Sequence, residues 1–254
     1  MLFRSRLGPG YLLYVSMKGS GEGIWKLTGG SSTELWSAPD ARILGGPEIS
    51  RDGQRVTFSA EQRGRTRLYV LNVDGTGARI VSESMALRGA PAWTPDGRSI
   101  TSAADVNGVP HLFRIPAEGA AVPLIREYAV DPVWSPAGDV LVYSGADIGT
   151  TFPLKAHFAD GSSRSFPALT LTRGARRVRF FPGKHALIVM RGDIQHRNLW
   201  LVDLATGAER QLTNLPPDFA VRDFDVSPDG REIVLERVQD HGDIVLVDIA
   251  RNTR

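Results

Sequence analysis

The sequence has no cysteine in 254 residues. That removes disulfides, thiolate nucleophiles and cysteine-ligated zinc together, and leaves either redox compartment open. No apolar run approaches the ~20 residues of a membrane-crossing helix, so no membrane insertion is expected. The opening Met1-Leu2-Phe3-Arg4-Ser5-Arg6 leads into no apolar core of the roughly 7–15 residues found in a secretory leader. The default expectation is therefore cytoplasmic, or periplasmic if the chain is a piece of a longer protein. Charge is nearly balanced, with 30 basic against 28 acidic residues and a net charge of +2. A dedicated nucleic-acid surface is not expected from such a balance. Helical periodicity is also missing over any useful length, which argues against a two-domain α/β chain.

Glycine and proline are plentiful, at 27 and 16 residues, and they recur in order. Pro91-Ala92-Trp93-Thr94-Pro95-Asp96-Gly97, Pro132-Val133-Trp134-Ser135-Pro136-Ala137-Gly138 and Asp225-Val226-Ser227-Pro228-Asp229-Gly230 share one pattern. Weaker copies are Pro47-Glu48-Ile49-Ser50-Arg51-Asp52-Gly53, Arg179-Phe180-Phe181-Pro182-Gly183 and Leu7-Gly8-Pro9-Gly10. By subtraction the turn glycines 10, 53, 97, 138, 183 and 230 stand 43, 44, 41, 45 and 47 residues apart. A four-stranded propeller blade takes about 40–45 residues.

The interior of each interval fits. Proline presets one corner of the turn and glycine accepts positive φ. An apolar run follows, such as Val140–Tyr143 or Ala186–Met190. A second run carries an aromatic near its start: Ile24-Trp25, Leu68-Tyr69, Leu112-Phe113, Leu199-Trp200. Turns such as Asp74-Gly75 and Thr206-Gly207 then lead to a short fourth strand, for instance residues 79–81 or 211–213. Near-continuous apolar runs are what strands covered on both faces show. The predicted fold is thus all-β: a single six-bladed β-propeller domain over residues 1–254, built of four-stranded antiparallel blades. The blades run approximately 1–41, 42–86, 87–127, 128–169, 170–215 and 216–254. The last stops after the run 243–249, so it is expected to be three-stranded or completed by residues absent from this chain.

The Ser-Pro-Asp-Gly turns, each followed by an apolar and then an apolar-aromatic strand, resemble the TolB-like, WD40-like propeller repeat. Blades 2, 3, 4 and 6 match best; blade 5 lacks the turn aspartate, and blade 1 has no Ser-Pro-Asp-Gly. The resemblance implies a protein- or peptide-binding propeller. It could be the sensor or scaffold domain of a longer bacterial signalling or translocation protein. Two alternatives also follow from it: the gating domain of a peptidase, and a metal-dependent sugar-acid lyase using histidine-bound metal. Fold alone does not identify a site.

No catalytic constellation stands out. Gly-x-Ser-x-Gly is missing, Gly183-Lys184 is followed by His185 instead of the hydroxyl a phosphate loop needs, and Gly19-Ser20-Gly21-Glu22-Gly23 reads as a hairpin loop. The chain is read as a non-enzyme without a cofactor, acting as a monomer. His196 and His241, with Asp193 and Asp240, lie in loops of adjacent blades and are the weak candidates for a metal, though solvated loop residues are the commoner explanation. The loops joining each blade's outer strand to the next inner strand, and its second strand to its third, are chemically varied. A protein partner is expected on that face, with Arg42, Arg88, Tyr128 and Arg173 as candidate contacts. Just before the apolar or proline residue of each inner strand stand Gly46, Ala90, Asp131, Arg177 and Asp223. The triple Asp131–Arg177–Asp223 predicts an acidic–basic–acidic arc near the channel, either as a salt-bridged closure or as an anchor for a charged peptide group.

Overall fold

A computed structural model describes residues 4–170, 178–193 and 196–238 of the chain. Its elements are all strands among those residues. The first blade holds β1 (Ser5–Gly8), β2 (Tyr11–Lys18), β3 (Gly21–Thr28) and β4 (Ser31–Ser37). The second holds β5 (Ala41–Ile49), β6 (Arg55–Gln62), β7 (Arg65–Asn72) and β8 (Arg79–Ser82). The third is β9 (Leu87–Trp93), β10 (Ser99–Val106), β11 (Val109–Pro116) and β12 (Val122–Ile125). The fourth is β13 (Val130–Trp134), β14 (Val140–Ser144), β15 (Thr151–Phe158) and β16 (Ser163–Thr170). The fifth is β17 (Val178–Phe180), β18 (Ala186–Asp193), β19 (His196–Asp203) and β20 (Glu209–Gln211). Each is an antiparallel meander in chain order, and β21 (Ala220–Val226) pairs with β22 (Ile233–Val238) in a two-stranded sheet.

The propeller of four-stranded antiparallel sheets is as predicted, but the blade count is not. Five four-stranded blades are present where the repeat predicts six, because the sixth repeat supplies only two strands among the described residues. The run 243–249 expected as its third strand lies outside them. A smaller correction concerns the fourth strand of blade 5, expected at 211–213 and found at Glu209–Gln211. Thr213 is diverted there to a side-chain role, its hydroxyl accepting from Leu199 N at 2.9 Å.

Apolar clusters fill the seams between neighbouring sheets. Leu13, Ile24, Ile43, Val56 and Phe58 join blades 1 and 2, and Phe152, Phe166, Phe180, Leu187 and Val189 join blades 4 and 5. Further clusters join blades 2 and 3, 3 and 4, and blade 5 with β21–β22. The second strands lie inside these seams; all five residues of β14 are buried. Inner strands β1, β5, β9, β13 and β17 contact one another in order, and β21 contacts β1. That last seam is bridged by polar groups: Leu7 N donates to Asp225 Oδ2 at 2.8 Å, and Arg6 pairs with Asp223 at 3.3 Å.

The turns between first and second strands explain the repeated motif. The Ser50 hydroxyl donates to Asp52 Oδ1 and accepts from Arg55 N, while Asp52 also accepts from Gln54 N. Thr94 with Asp96 and Ser227 with Asp229 repeat this arrangement. All six turn glycines have positive φ, between 65° and 82°. The turns also interlock. A Cβ on Gly53 would come 3.0 Å from Pro9, one on Gly138 3.1 Å from Pro95, and one on Gly230 3.6 Å from Pro182. Each of these prolines therefore packs on the glycine of the next sheet's turn. Arg55 adds a strap by donating to Gly97 O at 3.0 Å while lying over the Trp93 ring.

Candidate functional site

The interlocked turns frame the wide mouth of the channel, a cavity of about 600 Å³ opening at that end of the propeller. All six sheets contribute to its wall. Strand register defines one layer of it: Leu7, Glu48, Ala92, Val133, Arg179 and Asp225 each pair with the corresponding residue of their second strand. The layer is chemically lopsided. Blades 3 and 4 present Ala92 and Val133, with Trp93 and Trp134 next in line. Their indole N–H groups are already spent, on Glu48 O at 3.3 Å and Thr101 Oγ1 at 2.9 Å, and Trp93 is only 8% exposed beneath the Arg55 guanidinium.

The opposite side is ionic. Arg179 Nε donates to Asp225 Oδ1 at 2.6 Å, with both side chains 8% exposed. Arg6 reaches Asp223 at 3.3 Å and Glu48 at 3.4 Å. Burial alone would lower the Arg6 pKa, but Asp223, Asp225 and Glu48 outweigh it and hold the guanidinium above its ordinary value. These groups are paired in the manner buried charges require. Glu48, at 23%, is the most exposed of the five. Among the described residues Arg179 Nη2 is buried with no hydrogen-bond acceptor, and Arg6 Nε meets Glu48 Oε2 at 3.4 Å as an ion-pair contact without a hydrogen bond. At the rim, burial and the nearby Asp52 carboxylate push the Tyr11 hydroxyl up to about 12; it donates to Gly53 O.

The residues singled out from sequence are distributed differently. Asp223 is buried against Arg6, a partner that does not belong to the predicted Asp131–Arg177–Asp223 arc. Arg177 and Arg173 lie outside the described residues, so the arc cannot be traced through them. Asp131 adopts φ of 53°, a left-handed conformation that aspartate tolerates better than most. Its Oδ1 would stand 3.2 Å from a Cβ placed on Gly89. Arg88 pairs with both oxygens of Asp105 at 2.6 Å, and Tyr128 acts on its charge. Arg88, Tyr128 and Asp131 thus gather between blades 3 and 4, while Arg42 is exposed on blade 2 opposite Glu61. All four sit at the end away from the cavity.

Among the weak metal candidates, His196 and Asp193 are exposed, and His196 Nε2 lies 3.0 Å from Leu215 O. His241 and Asp240 lie outside the described residues. No group of three or more metal-ligating side chains occurs among the described residues. No described helix is long and apolar enough to cross a membrane.

The sequence reading missed Glu48, Arg179 and Asp225. It aligned Gly46, Ala90, Asp131, Arg177 and Asp223; counting two residues further along every inner strand gives Glu48, Ala92, Val133, Arg179 and Asp225. In β21 Asp223 and Asp225 are both in register, so side-chain alternation keeps that step on one face, whereas Gly46, Ala90 and Asp131 lie where the register of their strands shifts. The signal was present in the repeat.

Fold and site together define a β-propeller with a preformed, amphipathic channel mouth. The chain belongs to the TolB beta propeller domain family, whose model matches residues 11–215. Its fold is that of the protein described as TolB from Agrobacterium tumefaciens, at 19% identity and TM-score 0.69, covering 93% of this chain and 91% of that one. TolB from Acinetobacter baumannii is similar at 16% identity and TM-score 0.69, over 83% of this chain and 53% of its own. A puromycin-hydrolyzing peptidase from Mycobacterium tuberculosis matches at 18% identity and TM-score 0.62, over 85% of this chain but only 38% of the peptidase. At such identities the likeness carries the fold alone. No curated protein matches the sequence.

Proposed function

We propose that this is a non-catalytic propeller that binds a protein partner through a linear peptide seated in the channel mouth. The observation that carries this reading is the cavity itself. Its volume falls within the range of roughly 300–1,000 Å³ typical of ligand sites, and it combines apolar wall with a few fixed polar groups. The turn ring holds it in shape before any ligand arrives, which limits the ordering cost of binding. We further infer that β21–β22 is the inner half of a sixth blade, since it fills the gap between blade 5 and β1. A role as the sensor or scaffold part of a longer protein, acting as a monomer, is compatible with the short share of the Acinetobacter protein that the chain spans. The binding face expected from sequence was the opposite one. The cavity favours the turn end, and the pairing of Asp223 supports a structural role for that residue.

The test uses the five tryptophans as built-in reporters. Linear peptides selected from a random display library on the folded domain are titrated while the indole N–H signals are followed by NMR. Saturable shifts confined to Trp93 and Trp134 are expected. Binding that leaves both unmoved, and that is lost on Arg42→Ala with Tyr128→Ala, would overturn the channel-mouth reading and move the site to the other end.

A further inference from the structure

We propose that the channel mouth prefers a peptide carrying a carboxylate, which Arg51 holds at the rim while a backbone carbonyl meets Arg179 on the opposite wall. This rests on the channel mouth being the binding site. The first observation is a break in the turn ring. Pro9, Pro95, Pro136, Pro182 and Pro228 line the mouth, one from every sheet but the second. Proline at such a corner presets φ and brings no hydrogen-bonding group of its own. In the second sheet the place two residues before the turn glycine, filled by Pro95, Pro136 and Pro228 elsewhere, holds Arg51. The ring does not need this side chain for packing. Pro9 covers Gly53 and Pro95 covers Gly138, but Gly97, the next turn glycine after Arg51, is covered by Arg55. Its Nη2 would stand 3.1 Å from a Cβ placed on Gly97 and donates to Gly97 O at 3.0 Å. Arg51 is left exposed at the mouth, with no ion pair among the described residues.

The second observation lies across the channel. Arg179 stands on β17, opposite β5 in the ring of inner strands. It is 6% exposed, lines the cavity, and keeps Nη2 without an acceptor. A desolvated donor of this kind gains from any oxygen brought to it. Formal charge does not set the preference, because Arg6, Arg51 and Arg179 balance Glu48, Asp52 and Asp225 among the lining residues. Unfilled hydrogen bonds do. Asp225 accepts from Arg179 and Leu7 N, Asp52 from the Ser50 hydroxyl and Gln54 N, and Glu48 faces Arg6. The carboxylates are engaged, while Arg51 offers a whole guanidinium and Arg179 one further nitrogen. Donors on facing walls match a ligand that brings oxygen to both: a carboxylate, which guanidinium binds bidentately, and a peptide carbonyl. A C-terminus and an acidic side chain both carry that carboxylate.

The experiment compares three tripeptides on the wild-type domain at millimolar concentration: acetyl-Leu-Ala-Ala as the free acid, the same peptide as its amide, and acetyl-Leu-Ala-Asp as its amide. The free acid is expected to shift the Trp93 and Trp134 indole signals saturably. Its amide should bind about fivefold more weakly, the upper end of what an exposed ion pair supplies. Retention of affinity by the aspartate peptide would extend the preference to side-chain carboxylates; its loss would identify the terminus. Arg51→Pro restores the residue that other turns carry, so it should keep the fold and bring acid and amide to the same affinity. Arg51→Gln serves the same comparison if the proline variant does not fold. Equal binding of acid and amide to wild type, with the same indoles shifted, would overturn the carboxylate inference and leave the channel-mouth reading standing. A preference for the acid that survives in the Arg51 variant would overturn it too. Shifts at Trp25, Trp36 or Trp200 alone would overturn both readings. Absence of any response would overturn the carboxylate inference.

Discussion

Removing the Arg179 cation should expose how much the ionic half of the channel depends on pairing. In Arg179→Met the methionine fills most of the space, but Asp225 keeps a buried carboxylate with one backbone donor, Leu7 N. Breaking a buried pair in this way costs about 3–5 kcal/mol. Asp225→Asn is milder, because an amide oxygen still accepts from Leu7 N; loss of a charge-assisted bond to Arg179 puts it near 2–3 kcal/mol. The double variant holds no unpaired charge and retains the Leu7 contact, so its cost should fall to about 1–2 kcal/mol, the worth of ordinary bonds lost. The singles should therefore exceed the double by roughly 3 kcal/mol or more, a coupling that independent sites do not show. Urea unfolding followed by tryptophan fluorescence and far-UV circular dichroism together would measure it, coincident curves establishing two-state behaviour. Additive costs within about 0.5 kcal/mol, or an Arg179→Met cost below about 1 kcal/mol, would refute the reasoning.

Other perturbations test the frame around the site. Gly45 has φ of 75°, and a Cβ there would stand 2.4 Å from Ala90 N. Gly45→Ala should lose about 2–5 kcal/mol through strain and overpacking. Gly29→Ala, at φ of 56° in open space, should lose only about 1 kcal/mol in the same urea assay. Asp52 and Asp96 are held below the ordinary carboxylate range, chiefly by the Ser50 and Thr94 hydroxyls. A depressed folded-state pKa gives stability that is complete above the unfolded value, about 4, and is lost as pH falls through the folded one. Ser50→Ala with Thr94→Ala should flatten the loss of stability below pH about 4 while lowering it at neutrality.

The turns were the most legible part of the chain. Ser-Pro-Asp-Gly specifies its conformation through bonds made within six residues, as Ser227, Asp229 and Glu232 show, so no distant partner is needed to read it. The second strands were legible for a related reason, since burial on both faces leaves an unbroken apolar run such as Val140–Tyr143. Channel residues were harder. Inner strands carry bulges, as between Leu44 and Glu48 or between Val130 and Val133, and these change which position faces the axis. Counting from the preceding loop therefore gave Asp131 and Asp223, whereas counting back from the turn gives Glu48, Arg179 and Asp225. The partner of Arg6 was illegible on its own terms, because Asp223 stands 217 residues away.

That distance has a mechanical consequence. Among the described residues the five other seams are filled with apolar side chains, while the junction of β1 with β21 is bridged by Leu7 N to Asp225 and Arg6 to Asp223. Tension drawing β1 and β21 apart loads these polar contacts directly. The ring should open there first under force, as a clasp does, with its five blades still folded.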